Sequence, residues 1–325
     1  MLFQVASYDG NSPFEPWPSL AGCAFYLDCG PGETIFYYDS PPQDKTSPTG
    51  ASVSPPPVFV LIHGLGDEAD SWRHLIPLLS SRGFRVLALD LPGFGRSVTR
   101  GKISVRGHAA AVLKLIEAAI PNDPNSQAKN LIYFAGNSLG ALAAEEAVLQ
   151  KPGLTRGLIL LDGSIPGGPS NPGPIALAKL LLSRKWYRAY RGNPDGAWAS
   201  LYPYYANLDE MPVTDKQFLK KRVKTRVESC SQEQAFFATQ RSLIWAYVSA
   251  PSRFARGIRR YPGKILLIWG GKDRIMPLSS AETFKALRPD ITLKTIGGAG
   301  HLPQQEKPEE CARLMAEFAD LTKEG

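Results

Sequence analysis

Gly136-Asn137-Ser138-Leu139-Gly140 has the composition and spacing that let a serine hydroxyl act as a nucleophile. The pentapeptide stands between the apolar run NLIYFAG and the Ala-rich stretch LGALAAEEAVLQ, so it reads as a turn from strand to helix. A turn this sharp strains the serine backbone and leaves no room for bulk on either side. Gly136 and Gly140 supply that room. The helix that begins after Ser138 offers unpaired N–H groups where negative charge would develop on a substrate oxygen. A glycine-bearing turn with an incidental serine is the bland alternative, and the flanking strand and helix count against it.

A serine hydroxyl needs a base near neutral pH, and histidine supplies one. The chain has four: His63, His74, His108 and His301. His301, in GGAGHLPQQEKP, follows the last predicted strand. Its Gly-rich loop can carry an imidazole over the C-terminal edge of a sheet. An acid must then fix the ring's tautomer and stabilise the imidazolium. Asp273, in IWGGKDRIMP, is the first choice, because Ser138, Asp273 and His301 then follow the chain order expected of a strand–turn–helix nucleophile. Asp162, in LILLDGS, is the competitor, since it ends the strand after the nucleophile helix. Oxyanion stabilisation needs two converging backbone N–H groups. Leu139 should provide one and Leu65, in HGLG after the first core strand, the other. Gly64 lets that loop approach closely, and His63 is read as structural. The loop DLPGFGRS (90–97) is expected to set loop shape and is assigned no chemistry.

These residues need a frame that places them together. AFYLD and TIFYY, joined by CGPGE, carry a hairpin signal. SPPQDKTSPTGASVSPPP comes next and reads as a Pro-rich linker. From Val58 the grammar changes. VFVLIHG, FRVLALD, NLIYFAG, RGLILLDG, KILLIWGG and ITLKTIGG are strand-like runs, and most alternate with helical stretches such as Ser71–Arg82 and Ile103–Ile120. That alternation predicts an α/β fold with a mostly parallel sheet flanked by helices. It breaks after Ser164 and resumes near residue 256. The expected division is therefore 1–57 as hairpin and linker, 58–164 with 256–325 as core, and 165–255 as an inserted helical cap.

Composition narrows the classes further. The chain has 325 residues, 43% hydrophobic, enough for a sizeable core, and a net charge of +7. Lys and Arg crowd between Lys179 and Lys264, without zinc-finger spacing or the periodicity of a nucleic-acid reader. Nucleic acid is therefore not an expected partner. Cys23, Cys29, Cys230 and Cys311 form no C-x-x-C pair, which points to a reducing, cytoplasmic setting. The first residues lack the features of a signal or transit peptide, and no apolar run is long enough to span a bilayer. The basic segment 215–228 is a candidate for contact with an anionic membrane, although a solvated cap helix accounts for it more simply.

HGLGDEADSWRHLIPLLSSRGFRVLALDLPGFGRS, GNSLG, WGGKDRIMP and GAGHLPQQEKP together resemble the α/β-hydrolase superfamily. The branch is that of epoxide hydrolases, haloalkane dehalogenases, carbon–carbon bond hydrolases and many esterases. The resemblance covers about Phe25 to Leu321, apart from the linker and most of the insertion. Epoxide hydrolases and dehalogenases carry an aspartate where this chain has Ser138, which argues against an alkyl-enzyme mechanism. Carbon–carbon bond hydrolases usually have a longer glycine run than HGLGD. The GNSLG elbow is also similar to that of chlorophyll- and pheophytin-dephytylating esterases. The resemblance implies a capped serine hydrolase without cofactor or metal. It would cleave a small carboxylic ester with an apolar acyl or alcohol group, through an acyl-Ser138 intermediate. The cap's aromatic residues, Tyr204, Phe236 and Trp245 among them, would pack its own core and in part line the pocket. A ligand-binding homologue, or a hydrolase of C–C or amide bonds, remains the alternative.

Overall fold

A computed structural model describes residues 4–10, 12–43, 56–120, 131–163, 184–249 and 251–323. Its centre is a nine-stranded sheet built from the apolar runs. The strands are β1 (Gln4–Ser7), β2 (Ala24–Asp28), β3 (Thr34–Ser40), β4 (Val58–Ile62), β5 (Arg85–Leu89), β6 (Ile132–Asn137), β7 (Gly157–Leu161), β8 (Lys264–Gly270) and β9 (Thr292–Ile296). They lie in the order β1-β2-β3-β5-β4-β6-β7-β8-β9. The pairs from β1 to β3, and β3 with β5, are antiparallel. From β5 to β9 every pair is parallel.

The sheet is covered on both faces. Val58, Val60 and Ile62 of β4 belong to one apolar cluster, and Phe59 and Leu61 to the other. β6 divides the same way, with Ile132 and Phe134 on one face and Tyr133 and Ala135 on the other. A strand buried twice has no polar face to show, so it reads as a continuous apolar run. Helices Val105–Ala119, Leu139–Gln150, Pro251–Arg260 and Leu278–Leu287 cover the first face. Helices Leu75–Ser80 and Pro308–Lys323 cover the second.

Three boundaries differ from expectation. The hairpin is not a separate N-terminal unit: β3 pairs with β5, Tyr38 opposite Ala88, so residues 24–40 extend the core sheet across the expected division at 57. An unpaired strand edge would otherwise be left exposed. The linker's residues 44–55 lie outside the described ones. The helix expected over 71–82 is shortened to Leu75–Ser80, after a 3₁₀ turn at Ala69–Trp72. Finally, helix Pro251–Arg260 crosses the expected cap boundary at 255. Its Phe254 and Ile258 sit in the main core cluster.

Residue 164 and the expected cap residues 165–183 also lie outside the described ones. The rest of the cap is helical at 184–189, Pro194–Ala199, Val213–Glu228 and Cys230–Ser249. Two small clusters hold it together. Tyr205, Leu208 and Leu219 gather with Leu302, and Ala197, Val223 and Val227 gather with Tyr187 and Tyr190. Trp186, Tyr202 and Trp245 point outward instead. Helix Val213–Glu228 is basic for an internal reason as well as a solvated one. Arg226 Nη2 lies 2.8 Å from Asp67 and 2.9 Å from Glu68, and Arg222 Nη2 lies 3.1 Å from Asp70. Asp215 returns the exchange, taking Arg73 Nε at 2.6 Å. Buried charges are tolerated when paired in this way. Lys220, Lys221 and Lys224 of the same helix face solvent. Among the described residues no helix is long and apolar enough to cross a membrane, and all four cysteines are free.

Candidate active site

Ser138 caps helix Leu139–Gln150 with φ 54° and ψ −114°, a positive-φ conformation that non-glycine residues rarely adopt. Its N–H donates to the Leu161 carbonyl at 2.9 Å, which pins the turn to β7. A methyl group at Gly140 would overlap the Ile62 carbonyl on β4, and one at Gly136 would overlap the Gly140 carbonyl. The two glycines are therefore a steric requirement of helix and strand meeting this closely.

Asp273 lies in the turn after β8. Its Oδ1 accepts the N–H groups of Ile275 and Met276 at 2.7 and 3.0 Å. Its Oδ2 lies 2.8 Å from Nδ1 of His301, with both side chains buried. That bond leaves Nε2 as the ring nitrogen able to exchange a proton. Burial alone would raise the Asp273 carboxyl. The bond and charge of His301, with the Met276 N–H, outweigh burial and hold it below its ordinary value.

The His301 loop is fixed from three sides. Asn137, next to Ser138, donates from Nδ2 to the His301 carbonyl at 3.0 Å and to that of Leu161 at 3.2 Å. The His301 N–H donates to the Tyr204 carbonyl in the cap at 2.8 Å. Glu306 accepts the Gly300 N–H on one oxygen at 2.6 Å and the Ala206 N–H on the other at 2.7 Å. One carboxyl group thus joins the histidine loop to the cap. Neither Asn137 nor Glu306 was assigned a role from the sequence. A polar residue ending the otherwise apolar run IYFAGN is the one local sign of the first.

The HGLG loop lies against the turn at Asn137 and Ser138. A methyl group placed on Gly64 would stand 3.2 Å from Asn137 Oδ1 and 3.5 Å from Ser138 Cβ. Among the described residues no acceptor engages the N–H of Leu65 or of Leu139. His63 is fully buried and uses both ring nitrogens, Nδ1 toward the Gly64 carbonyl at 2.8 Å and Nε2 toward the Leu91 N–H at 2.9 Å. Burial lowers its basicity. Its geometry is that of a loop brace.

Asp162 is not the hydrogen-bond partner of His301. It directly follows β7 in a left-handed conformation, φ 45°, with Oδ1 accepting the Gly270 N–H at 2.8 Å. Donor atoms of Asp162, Asp273 and His301 nevertheless lie within 4.8 Å of one another. Such a group could crowd around a cation, but Nδ1 and Oδ2 are already spent on each other.

From the cap, the Tyr204 ring stands 5.8 Å from that of His301. The Phe236 ring would meet a methyl group on Gly66 at 3.1 Å. A groove of about 1020 Å³, lined by Tyr26, Gly95, Ser229 and Gln232 among others, shares no residue with Ser138, Asp273 or His301.

The profile of the alpha/beta hydrolase family matches residues 59–314. The chain belongs to that family. This alpha/beta hydrolase is 28% identical over 265 residues to a pimeloyl-acyl-carrier-protein methyl ester esterase of Methylococcus capsulatus, covering 81% of this chain and 94% of the relative. It is 25% identical over 266 residues to a 2-hydroxy-6-oxononadienedioate/2-hydroxy-6-oxononatrienedioate hydrolase of Pseudomonas putida, covering 80% and 86%. Among solved structures, a carboxylesterase of Bacillus subtilis superposes with TM-score 0.67 at 18% identity, covering 91% of this chain and 90% of its own. A meta-cleavage product hydrolase of Pseudomonas fluorescens gives TM-score 0.66 at 21% identity, covering 89% and 94%. The two structures attest the fold, and the family with its esterase-named relatives makes this chain a hydrolase.

Proposed function

We propose that this hydrolase cleaves a carboxylic ester through an acyl intermediate on Ser138, with His301 as base and Asp273 as its orienting acid. The observation that carries the reading is the buried Asp273–His301 pair, tethered to Asn137, the residue beside a strained serine. As Ser138 Oγ adds to the ester carbonyl, its proton passes to Nε2 of His301. The oxyanion rests on the N–H groups of Leu65 and Leu139. Collapse expels the alcohol, which takes the proton from His301. Water then repeats the sequence, releases the acid and restores Ser138. Asp273 remains an anion throughout and steadies the imidazolium.

An apolar group on the substrate suits the rings of Tyr204 and Phe236, which the cap brings beside His301 and Gly66. A test pairs a fluorophosphonate probe with nitrophenyl esters of graded chain length. Wild type should be labelled at Ser138 and turn over the esters, and Ser138→Ala should do neither. Labelling and turnover that persist in Ser138→Ala would overturn the reading. Carbon–carbon bond cleavage draws support from relatives named for 2-hydroxy-6-oxo dienedioates. A 2-hydroxy-6-oxodienoate bleached faster than any ester is hydrolysed would favour it.

A further inference from the structure

Asp162 is fully buried, sits in a conformation unusual for a side-chain-bearing residue, and reaches the same place as Asp273. Its Oδ1 has the Gly270 N–H. Its Oδ2 has no hydrogen-bond donor among the described residues. What stands nearby is a second carboxyl, that of Asp273, within the 4.8 Å that also encloses a nitrogen of His301. Two carboxyl groups this close, away from water, do not both ionise. Asp273 is the one with stabilising partners, namely the His301 ring and two backbone N–H groups. Glu306 and the Cys311 thiol also act on Asp162 or feel it, and neither is a cation. Burial first, and Asp273 next, push the Asp162 carboxyl well above its ordinary value. A single proton placed on Asp162 settles both problems. It removes the second charge and gives the orphan oxygen a donor's role toward Asp273.

We propose that Asp162 is a positioning residue and reserve acid of the triad: a neutral carboxylic acid that hydrogen-bonds Asp273, and that ionises to serve His301 when the charge at 273 is removed. The inference rests on the triad reading of Ser138, His301 and Asp273. With asparagine at 273 the like charge is gone, and the positive charge that forms on His301 during turnover favours the Asp162 carboxylate over its buried neutral form, the proton leaving to solvent. The resulting carboxylate lies close enough to His301 to stabilise its imidazolium.

The test compares wild type with Asp162→Asn, Asp273→Asn and the double variant, each checked for folding by circular dichroism. Asparagine at 162 can still donate to Asp273 and still accept the Gly270 N–H. Asp162→Asn should therefore leave the acid limb of the kcat/KM profile in place. Asp273→Asn should retain residual turnover, and the double variant should lose about a further tenfold or more. An acid limb that moves down by about one pH unit in Asp162→Asn would mean that Asp162 is charged in wild type, and would overturn the proposal. A double variant as active as Asp273→Asn would overturn the reserve role.

An arm independent of activity, and of whether the double variant folds, is infrared difference spectroscopy of wild type against Asp162→Asn at neutral pH. It should show the carbonyl stretch of one protonated carboxylic acid, and absence of that band overturns the proposal. Failure of the triad reading looks different. In that case Ser138→Ala keeps its turnover and Asp273→Asn matches wild type, while the infrared result still reports on Asp162.

Discussion

Asn137 Nδ2 lies 3.0 Å from the backbone oxygen of His301, joining two residues 164 positions apart in the chain. The side chain is fully buried and also donates to Leu161, so it holds the histidine loop against the nucleophile turn. Asn137→Ala should cost about 1–3 kcal/mol of stability, because buried carbonyls lose their donor. It should also lower kcat by about tenfold or more while KM changes little, since the base loses its placement rather than the substrate its contacts. Ester kinetics together with a thermal melt check this. A lowered Tm with unchanged kcat would make Asn137 a fold residue alone.

Ser138 carries the strain of the elbow. Ser138→Ala should abolish ester turnover by several orders of magnitude while preserving the circular dichroism spectrum. Ser138→Gly should be equally inactive but more stable than Ser138→Ala by about 1 kcal/mol, because glycine adopts φ 54° without penalty. Paired urea melts of the two variants decide the point, and equal midpoints would argue against stored strain.

Two glycines near the site should respond differently to the same added methyl group. In Gly140→Ala the new carbon meets the Ile62 carbonyl, a backbone atom in a central strand, so the protein should fail to fold or accumulate as insoluble material. In Gly64→Ala the nearest atom is Asn137 Oδ1 at 3.2 Å, the end of a side chain. That variant should fold and lose kcat by about 10- to 100-fold, through displacement of the Leu65 N–H from the oxyanion. Soluble yield and steady-state rates distinguish the two outcomes.

Acid should destabilise the fold through buried histidines. Burial, with His63 nearby, pushes His108 down to about 3. Its Nδ1 lacks a partner among the described residues, and its Nε2 lies 2.9 Å from Thr239 Oγ1. The unfolded ring returns to about 6.5. Above that pH neither state holds the extra proton and the histidine contributes no slope. Below it the unfolded chain binds more protons, so stability falls as pH drops from about 6.5 toward 3, by up to about 1.4 kcal/mol per pH unit for this residue. Denaturant melts from pH 7 to pH 5 should show a shallower loss in His108→Gln than in wild type. Identical slopes would show that His108 titrates normally in the fold.

Arg226 should matter to the cap. It sits between Asp67 and Glu68, directly after the HGLG loop. Arg226→Met leaves Glu68 buried beside Arg222 with a poorer partner set, at a cost of about 3–5 kcal/mol. KM for long-chain esters should rise along with the loss of Tm. A stability loss without any change in KM would separate the anchor from substrate binding.

Ser138 stands out in the sequence as a candidate because its signal is local: a buried strand, a glycine pair and a helix within about 25 residues. Asp273 and His301 are candidates through chain order, each just past a strand of the same parallel sheet, and the structure brings their side chains together. Both sequence candidates for the acid turn out to occupy one small volume, with His301 bonded to Asp273. Chain order can rank such candidates but cannot show that they are neighbours. The partners that hold the histidine loop are not legible. Glu306 reaches Ala206 across 100 positions, and the acceptor for the His301 N–H is a backbone carbonyl that carries no residue identity at all. The basic run at 215–228 misleads in part, because Arg222 and Arg226 are counter-ions to core acids rather than a solvated face. Periodicity also misplaces the end of the insertion, since helix Pro251–Arg260 continues the helical pattern of the cap while packing on the core.

Glu306 holds Gly300 with one oxygen and Ala206 with the other, and Tyr204 takes the His301 N–H directly. The cap is therefore not a module that can be exchanged freely. A graft that replaces residues 184–249 with a lid of a different backbone path would strip the His301 N–H of its acceptor and Glu306 of its cap donor, even if it preserved Ser138, Asp273 and His301. Recombination of substrate scope in this enzyme has its natural crossover points outside Tyr204–Ala206. A chimera that keeps that tripeptide together with Glu306 should retain its chemistry while changing its guest.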